Sequence, residues 1–246
     1  MSTPTYHLQP PGALGRWLRI LLLCVGGWSL VVDIVLSVWL AAHPFVMDLP
    51  SRGNEPPPIF VGEFPVWVRL LWLPSLVSQA TIVLWLVWQH RMTANLWARD
   101  PNGLRITPGW AVGWWFIPFA NLGMPLVAMF ELDRRSTPTG ALRRASPLVG
   151  WWWAAWVAQQ VLPFIVIVTV AWGPFSRVMQ EVDQYTRRID FTPVVHAFAP
   201  WLALAGIGNA VAAVLAYLVV RRIDQAQAEM IGVALAPPPR PDVLPT

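Results

Sequence analysis

Lysine is absent from this 246-residue chain, and all 17 of its basic residues are arginine. Cysteine is nearly absent as well. Cys24 stands alone, which excludes an internal disulfide and leaves the redox compartment unread. Charge is scarce at 12% of residues, about half the usual share. Also missing are H-E-x-x-H, G-x-S-x-G, a P-loop and a glycine-rich dinucleotide turn, so no common hydrolase or nucleotide chemistry is announced. The four histidines stand singly without metal-ligand spacing, and no metal or cofactor is expected. Of these, His43 and His196 are the two that could meet, at an outer surface. The arginines form no basic stripe interleaved with aromatics, which argues against nucleic acid as a partner.

Apolar length fills the space. Hydrophobic residues make up 56% of the chain, and several uncharged runs reach the roughly 20 residues that cross a bilayer. The fold class expected is an all-α membrane protein, with the lipid bilayer as its first partner. Residues 1–15 carry Pro4, Pro10 and Pro11 and are expected to be a disordered tail. A membrane domain at 16–222 follows, with spans at about 20–42, 66–88, 148–172 and 200–220. The first run is too long for a signal-peptide core and is expected to be retained. Phe175, Val178, Met179, Val182, Tyr185 and Ile189 recur at helical spacing and predict an amphipathic helix over 174–189. Residues 223–246 are expected to be a Pro-rich cytoplasmic tail. Trp17, Trp39, Trp67, Trp88, Trp151, Trp172 and Trp201, near ends of apolar runs, suit interfacial anchoring. Cys24 is expected to be a small packing residue.

The segment Pro108 to Glu131, PGWAVGWWFIPFANLGMPLVAMFE, is long and uncharged enough to span, but its punctuation opposes that. Pro118, Asn121, Gly123 and Pro125 interrupt it just past its middle. Gly109 to Phe116 can form a short helix that Pro118 ends, and Asn121 is placed to cap a second one with Pro125 in its first turn. Neither half is long enough to cross. The break must then contact other helices or lie at headgroup level, because lipid cannot satisfy irregular backbone.

Arginine counting agrees. With the segment spanning and the N-terminus inside, eight arginines fall inside and nine outside, with no bias. With the segment re-entrant or interfacial, the split is twelve inside to five outside, as the positive-inside rule expects. The expectation is four spans plus a broken, non-spanning helix pair at 109–135, in the cell membrane with both termini cytoplasmic.

The words of that segment resemble the signature of the domain-of-unknown-function 4328 family of bacterial membrane proteins. The resemblance covers Arg91 and Asn95 of an R-x-x-x-N at the end of the second span. It continues through Pro108, Gly109, Trp110, Gly113, Trp114, Trp115, Pro118, Asn121 and Pro125, then Glu131, Leu132, Arg134 and Ser136, and the Trp151 to Trp153 run. Asp133 departs from the pattern, standing where a tryptophan is usual. The resemblance implies a membrane fold and no activity.

Asp33 is the one carboxylate inside a span, about 20 Å above its inner end at 1.5 Å per residue. Ser75, Gln79, Gln159, Gln160 and Asn209 fall at similar depth and complete a candidate polar layer. Such a layer can be a substrate or proton site, or hydrogen-bond glue between helices. Gly208, Ala212 and Ala216 offer a small-residue stripe for close packing, and a homo-oligomer is possible. The function expected is a non-enzymatic scaffold or regulator of a membrane partner, with a small transporter or channel-like protein as the alternative.

Overall fold

A computed structural model describes residues 6–48, 59–61, 72–139, 141–180, 182 and 188–235. Seven helices and three short strands are described: α1 (Gly12–Ala42), β1 (Val46–Asp48), β2 (Ile59–Val61), α2 (Trp72–Arg99), α3 (Pro108–Gly113), α4 (Met124–Arg135), α5 (Pro147–Val166), α6 (Trp172–Gln180), β3 (Arg188–Asp190) and α7 (Thr192–Leu235). Among the described residues, three helical runs are long and apolar enough to cross a membrane: α1, the continuous run Pro147–Gln180, and α7. Their outward faces carry large apolar side chains, such as Val38, Phe164 and Leu204. Apolar faces so exposed would be unusual in water but are ordinary against lipid.

Several expectations change. The second expected span, 66–88, is described only from Trp72, where α2 begins, and α2 runs on to Arg99. Pro163 lies inside α5, and the ladder widens to a π segment over Ile167–Ala171 before α6 resumes it. The amphipathic helix expected to 189 is seen as α6 to Gln180, and its far end is strand β3 instead. The chain is therefore not wholly helical. The last helix does not stop at Arg221 and Arg222 but continues to Leu235, because Ile223, Ala226, Met230 and Ile231 form a buried stripe beyond them. Residues 236–246 of the expected tail lie outside the described residues.

The chain divides into two units, formed by Met1–Ile20, Thr81–Trp151 and Leu215–Thr246, and by Leu21–Ala80 and Trp152–Val214. In the second unit the strands make an antiparallel sheet of order β2-β1-β3, with Met47 opposite both Phe60 and Ile189. The Phe191 amide donates to the Phe45 carbonyl at 2.7 Å, and the Phe45 amide donates to Thr192 Oγ1 at 2.8 Å. Asp190 accepts the Thr192 amide at 2.8 Å, and bonding to Thr192 holds its carboxyl below the usual carboxylate range. Cys24 is exposed, not packed.

In the same unit α1 and α7 approach closely. A Cβ placed on Gly26 would lie 2.5 Å from Ala213 Cβ, and one on Gly206 would lie 2.8 Å from Asp33 Cβ and 3.2 Å from the Ser29 carbonyl. The close face of α7 is thus Gly206, Ala210 and Ala213, while Gly208 faces Gln159 of α5.

Candidate functional site

The first unit is built around the family-like segment. Thr107 caps α3, its hydroxyl accepting from the Trp110 amide at 3.3 Å, with Pro108 in the first turn where a missing N–H costs nothing. The helix tightens into a 3-10 turn at Trp114–Phe116 and ends. At Phe119 the chain turns back through φ 64°, ψ −40°, with the Ala120 amide bonded to the Pro118 carbonyl at 2.8 Å. That is a γ-turn with positive φ, a rare and strained conformation for a bulky residue. A second 3-10 turn, Ala120–Leu122, contains Asn121, and α4 follows with Gly123 at its N-cap. Asn121 is therefore not the cap expected of it, although Pro125 does lie in the first turn of α4.

The two halves form a hairpin closed at its base. Glu131 Oε1 accepts the Arg105 amide at 3.0 Å and Oε2 the Ile106 amide at 3.2 Å, so one carboxylate ties the exit of the segment to its entrance. Ile106, Ala111 and Ala128 pack between the limbs. Trp97 Nε1 holds the Ile106 carbonyl at 2.9 Å. Trp115 Nε1 donates to Gln89 Oε1 of α2 at 2.8 Å, while Trp110 and Trp114 lie against each other, centroids 4.7 Å apart. The tip points away from protein: Phe116 is 70% and Phe119 88% exposed.

Asn95 sits at the centre of the unit, 1% exposed. Its Nδ2 donates to the Gln9 carbonyl and to Gln227 Oε1, both at 2.8 Å, and its Oδ1 accepts the Gln9 amide at 2.9 Å. Gln227 Nε2 donates to the Met92 carbonyl at 2.9 Å and to Ser136 Oγ at 3.2 Å. Residue 9, within the tail expected to be disordered, is thus bonded to α2, α2 to α7, and α7 to Ser136 at the end of α4. Asp133, wholly buried, accepts from Arg222 Nε at 2.7 Å, Arg143 Nη2 at 2.8 Å and the Ser146 amide at 2.8 Å. Arg134 is exposed; its carbonyl accepts the Arg143 amide at 3.0 Å.

Trp88 is fully buried and is no interfacial anchor; its Nε1 donates to Asp224 Oδ1 at 2.9 Å. Trp17, Trp151 and Trp172 are exposed as anchors would be, and Trp67 lies outside the described residues. Burial pushes the Asp224 carboxyl above its usual range, against the opposing effects of Trp88 and of Arg19 at 3.7 Å. A carboxyl raised on folding stabilises fully below its unfolded value near pH 3.9, and that contribution is lost as pH rises through the folded value. Asp224→Asn keeps an acceptor for Trp88 and removes the ionisation. The variant's thermal stability should therefore fall less than that of the wild type between pH 4 and pH 7. Parallel curves would contradict the assignment.

A cleft of about 650 Å³ opens beside α2. Tyr6, His7, His90, Arg91, Leu86 and Val112 are among the residues that line it. Arg91 Nε is buried with no hydrogen-bond partner among the described residues.

In the second unit Asp33 hydrogen-bonds Asn209. A Cβ on Gly208 would fall 1.6 Å from Gln159 Nε2, so Gln159 lies one residue away along α7. Gln79 and Gln160 are exposed and do not join the pair, and the side chain of Ser75 lies outside what is described. His43 and His196 do come near, but as ring to backbone: His196 Nε2 is 3.3 Å from the His43 carbonyl, and His43 Nδ1 is 2.8 Å from the Trp39 carbonyl. Among the described residues no three His, Cys, Asp or Glu side chains cluster for a metal.

Sequence reasoning placed Arg91, Asn95 and Glu131 without a role, marked Asp133 only as a departure from the family pattern, and passed over Asp224, Gln89 and Gln227. The available signal was position: Gln227 and Asp224 interrupt the apolar stripe Ile223, Ala226, Met230. A family model described as a domain of unknown function (DUF4328) matches residues 65–225. No curated protein and no solved structure matches the chain.

Proposed function

The chain belongs to the domain-of-unknown-function 4328 family, and from that premise we propose a four-span cell-membrane protein that acts without catalysis, as a scaffold or regulator of a membrane partner. Both termini lie in the cytoplasm, and the signature hairpin does not cross. Four-span topology puts the connections holding β1 and β3 on one side of the bilayer, whereas five spans would separate them. Their direct pairing, Met47 opposite Ile189, supports four. The bonding of Asn95 to Gln227 adds a second parity argument, since an odd number of crossings between them would keep those side chains apart. Lengths agree: α3 and α4 rise about 9 and 18 Å at 1.5 Å per residue, against about 30 Å of hydrocarbon.

The observation that carries the scaffold reading is where the signature's polar groups point. Glu131, Asn95 and Ser136 bond to protein and hold the unit together, while Trp110, Phe116, Phe119 and Val127 face outward. That is a braced hairpin presenting an aromatic face. Cysteines at Asp100 and Leu142, in a chain with Cys24→Ser, should label from the same side of the membrane. Labelling from opposite sides would restore five spans.

A second reading, a small transporter, draws on the Asp33–Asn209 bond inside the bundle. Under the scaffold reading Asp33→Asn should be nearly silent, because an amide both donates and accepts, and Asp33→Leu should loosen the bundle by about 1 kcal/mol. Loss of the cellular phenotype in Asp33→Asn, with normal insertion and thermal stability, would favour the transporter.

A further inference from the structure

We propose that the cleft beside α2 binds the phosphate group of an anionic phospholipid. Arg91, His90, His7 and Tyr6 supply the cationic and polar part of the lining, and no carboxylate is among the described lining residues. Arg91 lines the cleft while its Nε is buried without a described partner, so the donors a phosphate in the cleft would meet are its terminal nitrogens. Asn95 and Gln9, also on the wall, are bonded to each other and contribute shape more than recognition.

Leu86 and Val87, one turn before His90 and Arg91 on α2, make the lining apolar on that side, and Val112 adds to its apolar part. Val83, Val87 and Arg91 follow one another at four-residue spacing, so they share one face of α2. Val83 is 57% and Val87 50% exposed, with Ile82 beside them at 59%. An apolar track therefore leads into a cationic end over about 14 Å, from Leu86 to Asn95. A free phosphate uses one end of this arrangement; a phosphodiester carrying an acyl chain uses both. The volume falls within the roughly 300–1,000 Å³ of small-molecule sites, so a headgroup and the first part of a chain fit. Which leaflet supplies the lipid rests on the topology proposed above; the binding chemistry does not.

Native mass spectrometry of the purified full chain in neutral detergent tests this, with phosphatidylglycerol or phosphatidylcholine added. Phosphatidylglycerol should bind about tenfold more tightly: both lipids offer the same phosphodiester, but the choline ammonium of phosphatidylcholine cancels its charge and is repelled by Arg91. Arg91→Ala and His90→Ala should each remove most of that preference, Arg91→Lys should restore part of it, and Arg177→Ala should leave it unchanged. His90 is exposed, so its truncation leaves the fold intact and keeps the test decisive if Arg91→Ala misfolds. Equal binding of the two lipids, or a preference that survives His90→Ala, would overturn the proposal. Displacement of phosphatidylglycerol by millimolar inorganic phosphate would overturn the lipid and identify a free anion as the occupant. Because detergent removes sidedness and partner alike, these outcomes leave the scaffold reading untouched.

Discussion

Asp133→Leu should destabilise the chain by about 3 kcal/mol, the low end of what breaking a buried ion pair costs. The carboxylate is wholly buried and holds two arginines and the Ser146 amide at 2.7–2.8 Å. Leucine would leave Arg222 Nε and the Ser146 amide without that acceptor, and Arg143 Nη2 with only the carbonyl of residue 133 at 3.1 Å. Both arginine side chains are about a third exposed (34% and 35%), so water recovers part of the loss, which keeps the figure from the top of the range. Asp133→Asn should fall between, since one amide oxygen can serve one arginine while the amide N–H₂ faces other donors. Arg143→Gln and Arg222→Gln should each cost about 1 kcal/mol or less, because the carboxylate keeps its remaining partners. Thermal unfolding in detergent reads this directly as a drop of roughly 6–12 °C for Asp133→Leu. A leucine variant as stable as Arg143→Gln would mean that the cluster is not the brace it is taken for.

Gly206→Ala should be the second most damaging change, at about 2 kcal/mol for overpacking a rigid contact. The added methyl would meet Asp33 Cβ at 2.8 Å and the Ser29 carbonyl at 3.2 Å. Neither can swing aside, because both are fixed to the backbone of α1. Gly208→Ala provides the contrast. Its methyl would meet the far end of Gln159 at 1.6 Å, but that side chain can rotate, and alanine favours a helix by up to about 1 kcal/mol over glycine. Gly208→Ala should therefore melt near wild type. The reverse order of the two variants would show that the close approach of α1 and α7 is not the controlling contact.

Hydropathy and punctuation made the helices and the broken segment legible, because a 3.6-residue stripe and a proline act locally. The arginine count adds only the non-crossing topology proposed above; what was legible is the broken helix pair itself. The sheet was not, since three-residue strands leave too few positions for alternation, and Pro56 to Pro58 suggested only a loop. Arg221 and Arg222 resembled a membrane stop and masked the stripe beyond them. Trp88 showed how position misleads: indole at the end of an apolar run suits headgroups, but here its N–H meets a carboxylate 136 residues away, which no local pattern encodes. For the same reason Arg91 was visible as a motif residue, while the cleft that gives it a use depends on Tyr6 and His7 from the far end of the chain.

The continuation of α7 past Arg222 bears on the order in which the chain is made. Gln227 supplies partners to Asn95 and Ser136, and Asp224 supplies one to Trp88. Those groups leave the ribosome long before residues 224–227 do, and they must remain hydrated or borrow other partners until that stretch emerges. The first unit is therefore closed by the last of its own described segments to emerge. A nonsense lesion after Arg222 would spare every apolar span yet release a protein whose central amide, hydroxyl and indole lack the groups that complete them. Such a chain would insert normally and still present the exposed polar interior by which membrane quality control selects its substrates.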